Sequence, residues 1–324
     1  MKLEGIHHIT AVTANAPGNV EFYTRVLGLR LVKKSVNQDD PTVYHLFYSD
    51  ERGSPGADLT FFEYPGAERG RPGAGMVHRI VWRVASEEAL DFWQARLRGE
   101  GIASRREDGR LVFDDPEGLG LELALDEGRD APLVADHPEI PSRLALRGFA
   151  GVRAYAADPE GSRHFLEQAL GFVRTAEDRY EVRGDHRGSF YIYDRTAEPG
   201  RSGAGTVHHV AWTSTMEAHA AWRRRVLEEG GSPTPVIDRY YFRSIYFHEP
   251  SGVLFEIATD GPGFTTDEPL EHLGERLALP PKFEPLRERL EQILTPLRNP
   301  REGAPVTTGP PPSTPPAGPN RLRR

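Results

Sequence analysis

The sequence predicts an α+β protein of two domains, each assembled from a pair of βαβββ modules. Three observations carry this reading. An internal repeat divides the chain: Gly75-Met76-Val77-His78-Arg79-Ile80-Val81-Trp82 recurs as Gly205-Thr206-Val207-His208-His209-Val210-Ala211-Trp212, and Pro116-Glu117-Gly118-Leu119-Gly120-Leu121-Glu122 recurs as Pro250-Ser251-Gly252-Val253-Leu254-Phe255-Glu256. Within each half, short runs rich in β-branched and aromatic residues surround segments of helical periodicity. The 324 residues suffice for two cores of ordinary size.

Residues 4 to 14 alternate as a strand does. Residues 18 to 27 then place Val20, Tyr23, Val26 and Leu27 at helical spacing, and Gly28 suits the residue that ends a helix. Strands follow over 29 to 36, 42 to 48 and 58 to 64, separated by the turn formers Asn37-Gln38-Asp39-Asp40-Pro41 and Gly53-Ser54-Pro55-Gly56. A second module begins at Met76. Its helix over 87 to 97 sets Leu90, Trp93 and Leu97 on one face, and strands at 110 to 113 and 120 to 125 complete it. Beyond the Asp-, Pro- and Gly-rich stretch 127 to 142 the plan repeats. A helix from His164 to Leu170 ends at Gly171, the helix after Met216 carries Trp222 in the place of Trp93, and strands over 239 to 248 and 253 to 259 close the fourth module.

The expected boundaries are 1–130 for an N-terminal domain, 131–145 for a linker and 146–262 for a C-terminal domain, with consecutive modules sharing a domain. Residues 263–300 form an extension whose amphipathic helix, around 283 to 297, is expected to pack on the second domain. In 301–324 proline and glycine dominate without apolar periodicity, which predicts a disordered tail.

A formal charge of -8 without a basic block argues against nucleic acid as a partner and favours a small molecule. The chain has no cysteine, so disulfides, thiolate metal sites and a cysteine nucleophile are excluded, and any metal must be held by histidine and carboxylate. Neither a signal sequence nor an apolar run of the ~18 residues a membrane span requires is seen, and a cytoplasmic protein that does not engage membranes is expected. Association into a homo-oligomer is left open.

The repeat also proposes a metal site. Arg79 stands where the second copy has His209, while aligning Gly5-Ile6-His7-His8-Ile9 with Gly151-Val152-Arg153-Ala154-Tyr155 gives His8 an alanine counterpart. One copy therefore offers His8, Arg79 and Glu122, and the other Ala154, His209 and Glu256. Neither triad is complete, but His8 with His209 and Glu256 restores two imidazoles and one carboxylate, the facial set that suits non-haem Fe(II) oxygenases. Because strand neighbours face opposite ways, only one of His7 and His8, and one of His208 and His209, is expected to enter the site. His78 and His208, shared by both copies, read as structural, and Glu122 is expected to pair with a cation such as Arg79. A carboxylate between Phe255 and Ile257 in an apolar strand needs a partner of its own.

Several segments carry a resemblance to a known family. Gly5-Ile6-His7-His8-Ile9-Thr10, Phe22-Tyr23-Thr24-Arg25-Val26-Leu27-Gly28-Leu29-Arg30-Leu31-Val32-Lys33-Lys34, Tyr44-His45-Leu46-Phe47-Tyr48 and Gly53-Ser54-Pro55-Gly56-Ala57-Asp58-Leu59-Thr60-Phe61-Phe62 are similar to the ring-cleaving dioxygenases of hydroquinones within the vicinal oxygen chelate (glyoxalase/extradiol dioxygenase) superfamily. The resemblance spans about residues 1 to 290. It implies paired modules that form an open β-barrel-like cup, with Fe(II) as cofactor, O2 as co-substrate and a small aromatic diol as substrate. It further implies His8, His209 and Glu256 as metal ligands, Arg239 and Tyr246 as residues that handle substrate, and His7 as a catalytic residue beside a ligand.

The expected function is thus Fe(II)-dependent insertion of O2 into a hydroquinone or catechol-type ring. Two alternatives stand beside it: a glyoxalase-like lyase or isomerase using Zn(II) or Ni(II) as Lewis acid, and a non-enzymatic small-molecule binding (resistance) protein. The Gly73-Ala74-Gly75 and Gly203-Ala204-Gly205 triplets are not phosphate loops, since no Gly-Lys-Ser/Thr follows and each precedes a strand.

Overall fold

Sixteen strands occupy residues 1–302, the part of the chain that this computed structural model describes. The first module is β1 (Ile6–Thr13), α1 (Ala16–Glu21, running into a π-helical turn Phe22–Val26), β2 (Arg30–Val36), β3 (Tyr44–Ser49) and β4 (Asp58–Glu63). The second is β5 (Met76–Val84), α2 (Glu87–Gly99), β6 (Ser104–Glu107), β7 (Arg110–Asp114) and β8 (Gly120–Leu125). In the third, β9 (Phe149–Ala156) leads through a 3-10 turn and the π-helical turn Phe165–Ala169 to β10 (Val173–Ala176), β11 (Arg179–Arg183) and β12 (Gly188–Arg195). The fourth comprises β13 (Val207–Ser214), α3 (His219–Glu228), β14 (Ile237–Asp238), β15 (Arg243–His248) and β16 (Leu254–Thr259).

Local chemistry accounts for the helices. Asn15 caps α1 by accepting a hydrogen bond from the Gly18 amide, and Ser86 caps α2 by accepting one from Ala89. Gly28 and Gly171 both adopt a φ of 71°, the left-handed conformation expected where each helical segment stops. Trp93 and Trp222 are fully buried at equivalent places, as are Trp82 and Trp212 on the strands beneath them.

The way modules combine differs from the expectation. Each sheet has eight strands, in the orders β14-β15-β16-β13-β1-β4-β3-β2 and β10-β11-β12-β9-β5-β8-β7-β6. The first module therefore shares a sheet with the fourth, and the second with the third, each pair joined through antiparallel first strands, β1 with β13 and β5 with β9. Consecutive modules do not close a sheet. The chain crosses from one sheet to the other and back, and the two crossing segments clasp each other: Arg71 pairs with Arg201, and Ala74 lies beside Pro199. This clasp explains the glycine triplets. A Cβ at Gly73 would stand 2.2 Å from the Gly200 amide nitrogen, so the crossing requires glycine there.

The extension beyond residue 262 also sits elsewhere than expected. It lies along β2 of the first module: the backbones of Lys34 and Leu277 form a bridge, Arg30 donates to the carbonyls of Leu270 and Glu271, and Lys33, fully buried, donates to Asp267, Glu268 and the Phe264 carbonyl. An exposed edge strand is thereby covered. The expected helix appears as a 3-10 turn, Pro281–Leu286, followed by α4 (Arg287–Ile293). The tail expected to be disordered over 301–324 falls outside the described residues apart from Arg301 and Glu302.

Removing one member of a buried ion pair leaves its partners uncompensated, at a cost of about 3–5 kcal/mol. Lys33→Ala is accordingly expected to lower unfolding free energy by about 3 kcal/mol in a urea titration, with the released extension becoming the first site of proteolysis.

Candidate metal centre

Three strands side by side in one sheet set the centre. In the parallel pairing of β13 with β16, Ala211 lies opposite Glu256, and in the antiparallel pairing of β16 with β15, Glu256 lies opposite Tyr246. Glu256 and Tyr246 thus share one face. The sheet curls enough that side chains from β1, β3, β13 and β15 line one cavity of about 410 Å³, which contains His8, His45, Phe47, Phe62, His208, His209, Arg239, Phe242 and Tyr246 in its wall.

Two β-bulges bring the histidines in. Ile6 pairs with Trp212 and Ile9 with Val210, so His7 and His8 together face a single residue, Ala211. On the other strand, Thr10 pairs with His209 and Ala11 with Val207, which leaves His208 as the extra residue. A bulge relaxes strict alternation: His7 stays off the cavity wall, as expected of one member of its pair, whereas His208 lines it beside His209. The rings of each adjacent pair meet instead, His7 Nδ1 to His8 Nδ1 at 2.9 Å and His208 Nδ1 to His209 Nδ1 at 2.8 Å, and His208 also lines the cavity.

These contacts assign the tautomers. His7 Nε2 lies 3.1 Å from the Thr259 carbonyl oxygen, which can only accept, so the proton is on Nε2 and His7 Nδ1 is an acceptor. His8 must then donate from Nδ1, which leaves the lone pair on its Nε2. Burial pushes His7 down to about 3 and His208 to about 4, so both stay neutral and the arrangement holds at ordinary pH. If His209 donates to His208 in the same way, its Nε2 also carries a lone pair.

Those two nitrogens converge on Glu256. His8 Nε2 lies 3.3 Å from His209 Nε2 and 3.2 Å from Glu256 Oε2, and His209 Nε2 lies 3.0 Å from the same oxygen. Both oxygens of this fully buried carboxylate nonetheless receive no hydrogen bond. Burial opposes its charge, and positive charge or a proton at the two imidazole nitrogens, or a cation in their place, holds its carboxyl well below the usual range. A fully buried carboxylate that receives no hydrogen bond, set 3.0 to 3.2 Å from two imidazole Nε2 atoms, fits a cation of the kind two histidines and one carboxylate bind. Among the described residues, this is the group of His, Asp and Glu able to hold a metal ion.

The structure brings the other expected residues to the same cavity. Arg239 follows β14 at a sharp turn, with Tyr240 at a φ of 71°, and does not lie within a strand. Its Nε donates to the Tyr246 hydroxyl oxygen at 3.2 Å, and its two terminal nitrogens form 2.9 Å bonds to Asp39 of the β2–β3 loop. Burial pushes the Tyr246 phenol up, so it stays protonated, and with its oxygen accepting from Arg239 its own O–H can donate into the cavity. His45 was not singled out by sequence reasoning. It and Phe47 are alternate residues of β3, a pattern that would have placed both on the cavity face.

The companion sheet holds the degenerate site. Arg79 and Arg110 approach Glu122 at 3.2 and 3.0 Å, the expected ion pair in place of a metal. The counterpart of His8, however, is Gly151 and not Ala154. Phe149 pairs with Trp82 as Ile6 pairs with Trp212, and Val152 with Ile80 as Ile9 with Val210, which shifts the alignment by three residues. Gly5 and Gly148, with φ of 76° and 91°, open the two equivalent strands.

Residues 5–123 and 148–257 match the profile described as Glyoxalase/Bleomycin resistance protein/Dioxygenase superfamily, and the chain belongs to that superfamily. It is 40% identical over 316 residues, 92% of this chain and 100% of the other, to the Bacillus subtilis protein named "Putative ring-cleaving dioxygenase MhqA". To the "Chlorohydroquinone/hydroquinone 1,2-dioxygenase" of Sphingobium indicum it is 34% identical, with 89% and 95% of the chains covered. A crystal structure of a Bacillus subtilis dioxygenase, also named as putative, superposes with a TM-score of 0.85 at 39% identity over 92% of this chain and 98% of that one. Glyoxalase I from Zea mays shares the fold, at a TM-score of 0.55 and 16% identity over 79% and 92% of the two chains.

Loss of a residue that orients a metal-bound histidine typically costs about 10- to 100-fold in metal affinity. His7→Ala is expected to weaken binding of an added divalent metal ion by that factor in an equilibrium chelator competition, without abolishing it. Arg79→Ala, in the companion sheet, is expected to leave metal stoichiometry unchanged by elemental analysis.

Proposed function

We propose that this protein is a ring-cleaving dioxygenase that holds Fe(II) on His8, His209 and Glu256 and inserts O2 into a hydroquinone- or catechol-type aromatic. The observation that carries the reading is the buried convergence of His8 Nε2, His209 Nε2 and a Glu256 carboxylate that receives no hydrogen bond, at the wall of an aromatic-lined cavity. Its similarity to relatives named ring-cleaving and hydroquinone dioxygenases supports the choice of reaction. The cavity volume lies in the range of small-molecule sites.

Bound Fe(II) would supply open coordination positions on one face, where diol and O2 meet and exchange electrons. The rest is done by side chains. Phe47, Phe62 and Phe242 offer apolar surface to an aromatic ring and limit water around it. Tyr246, across the strand pair from Glu256, donates its hydroxyl proton toward oxygen that gains negative charge, and Arg239 holds that hydroxyl in place. His7 fixes the His8 ring from behind.

The test is anaerobic reconstitution with Fe(II), followed by O2 uptake with methylhydroquinone and with catechol, against a Zn(II)-loaded control. Uptake of one O2 per ring opened, only in the iron sample, is expected. Iron bound at full occupancy with no uptake on either diol would overturn the proposal. His209→Ala and Glu256→Ala are each expected to abolish uptake and to lower bound iron to background.

A further inference from the structure

Apart from Tyr64 and from Tyr241, whose hydroxyl is taken by Asp267, His45 is the titratable side chain of the cavity wall that neither the metal set nor the Arg239–Tyr246 pair uses. Its surroundings are unusual for an unused residue. The imidazole is gripped between two aromatic rings, with centroid separations of 3.9 Å to Phe47 and 4.4 Å to Phe62. Its Nε2 is hydrogen-bonded to Thr60 Oγ1 at 2.9 Å, and Thr60 Oγ1 is in turn bonded to Thr10 Oγ1 at 2.8 Å. A polar ladder across three strands, β3, β4 and β1, thus holds this ring in an otherwise aromatic wall. Among the described residues Nδ1 has no hydrogen-bond partner, and the ring borders the cavity.

We propose that His45 is a specificity-determining residue, whose Nδ1 binds the hydroxyl of the aromatic substrate that lies farthest from the metal. The inference rests on the ring-cleaving reading of this cavity and adds to it a reason for preferring para-diols over catechols. The sheet order β13-β1-β4-β3 puts His45 three strands from His209, about 14 Å along the curled sheet at ~4.8 Å per step, with both side chains pointing into the cup. A ring diol with one oxygen at the metal reaches toward β3 with whatever substituent stands opposite. In a catechol both oxygens lie at the metal end and the far edge is C–H, which would leave Nδ1 unpaired in an apolar wall. A hydroquinone presents its second hydroxyl there.

The arrangement is preorganised for this task. Burial holds the imidazole neutral, so it meets a neutral phenol without a charge penalty, and the neutral ring can accept at one nitrogen and donate at the other. The Phe47 and Phe62 rings prevent rotation, and the Thr60 bond fixes which nitrogen faces the cavity.

The test compares the full-length Fe(II)-loaded protein with His45→Phe, which keeps a flat ring between Phe47 and Phe62, and His45→Gln, which restores a hydrogen-bonding group. One buried hydrogen bond corresponds to roughly tenfold in affinity. His45→Phe is expected to raise KM for hydroquinone at least about tenfold with kcat and iron content little changed, to leave catechol unaffected, and to be partly rescued by His45→Gln. An equal fall for hydroquinone and catechol at full iron content, or no change for either, would overturn the assignment. Anaerobic binding of hydroquinone and of phenol separates this idea from the reaction assigned to the site. If wild type consumes no O2 but binds hydroquinone more tightly than phenol, and His45→Phe loses that margin, His45 keeps its role while the dioxygenase reading falls. If wild type turns over but the margin survives in His45→Phe, the role of His45 falls alone.

Discussion

The antiparallel pairing of β1 with β13 is the constraint on which the rest depends. It joins the first and last modules into one sheet, and its two bulges bring four histidines to one place. Ordinary alternation would send His7 and His208 to the far face and leave His8 and His209 without neighbours to fix their tautomers. The extra residue on each strand instead stacks one imidazole behind another. In the His7–His8 pair the proton is held on the outer nitrogen, and the relay runs from the Thr259 carbonyl on β16 to the cavity.

The two sheets differ in how each meets a buried carboxylate. The same strand geometry in the companion sheet carries Gly151, Arg79 and Glu122, and there the carboxylate is neutralised by two arginines within 3.2 Å. Both solutions answer the same electrostatic demand, since a buried carboxylate must meet positive charge. One sheet meets it with covalently fixed guanidinium groups. The other offers the imidazole nitrogens of His8 and His209, which makes it fit for a cation.

Contacts remote from the centre shape its walls. The extension beyond residue 262 ties Lys33 to Asp267 and Glu268, and Tyr241, beside Phe242 of the cavity wall, donates to Asp267. Asp39, on the loop between β2 and β3, holds Arg239 from across the cavity mouth while Gln38 donates to the Arg239 carbonyl. Residues roughly two hundred positions apart thus define one pocket, as expected when the first and last modules share a sheet.

Much was legible in the sequence. The strand and helix pattern and the repeat follow from residue types and spacing, because a duplicated unit repeats its side-chain periodicity wherever it folds, and the same repeat pointed to His8, His209 and Glu256 as one candidate set. Tertiary structure alone decided how the modules combine: sheet pairing joins modules by their first strands, and sequence neighbours do not reveal which edges are free. The bulges, the three-residue shift that makes Gly151 the counterpart of His8, and the roles open to His208 and His45 depend on cross-strand register, a relation between residues far apart in the chain that no local pattern encodes.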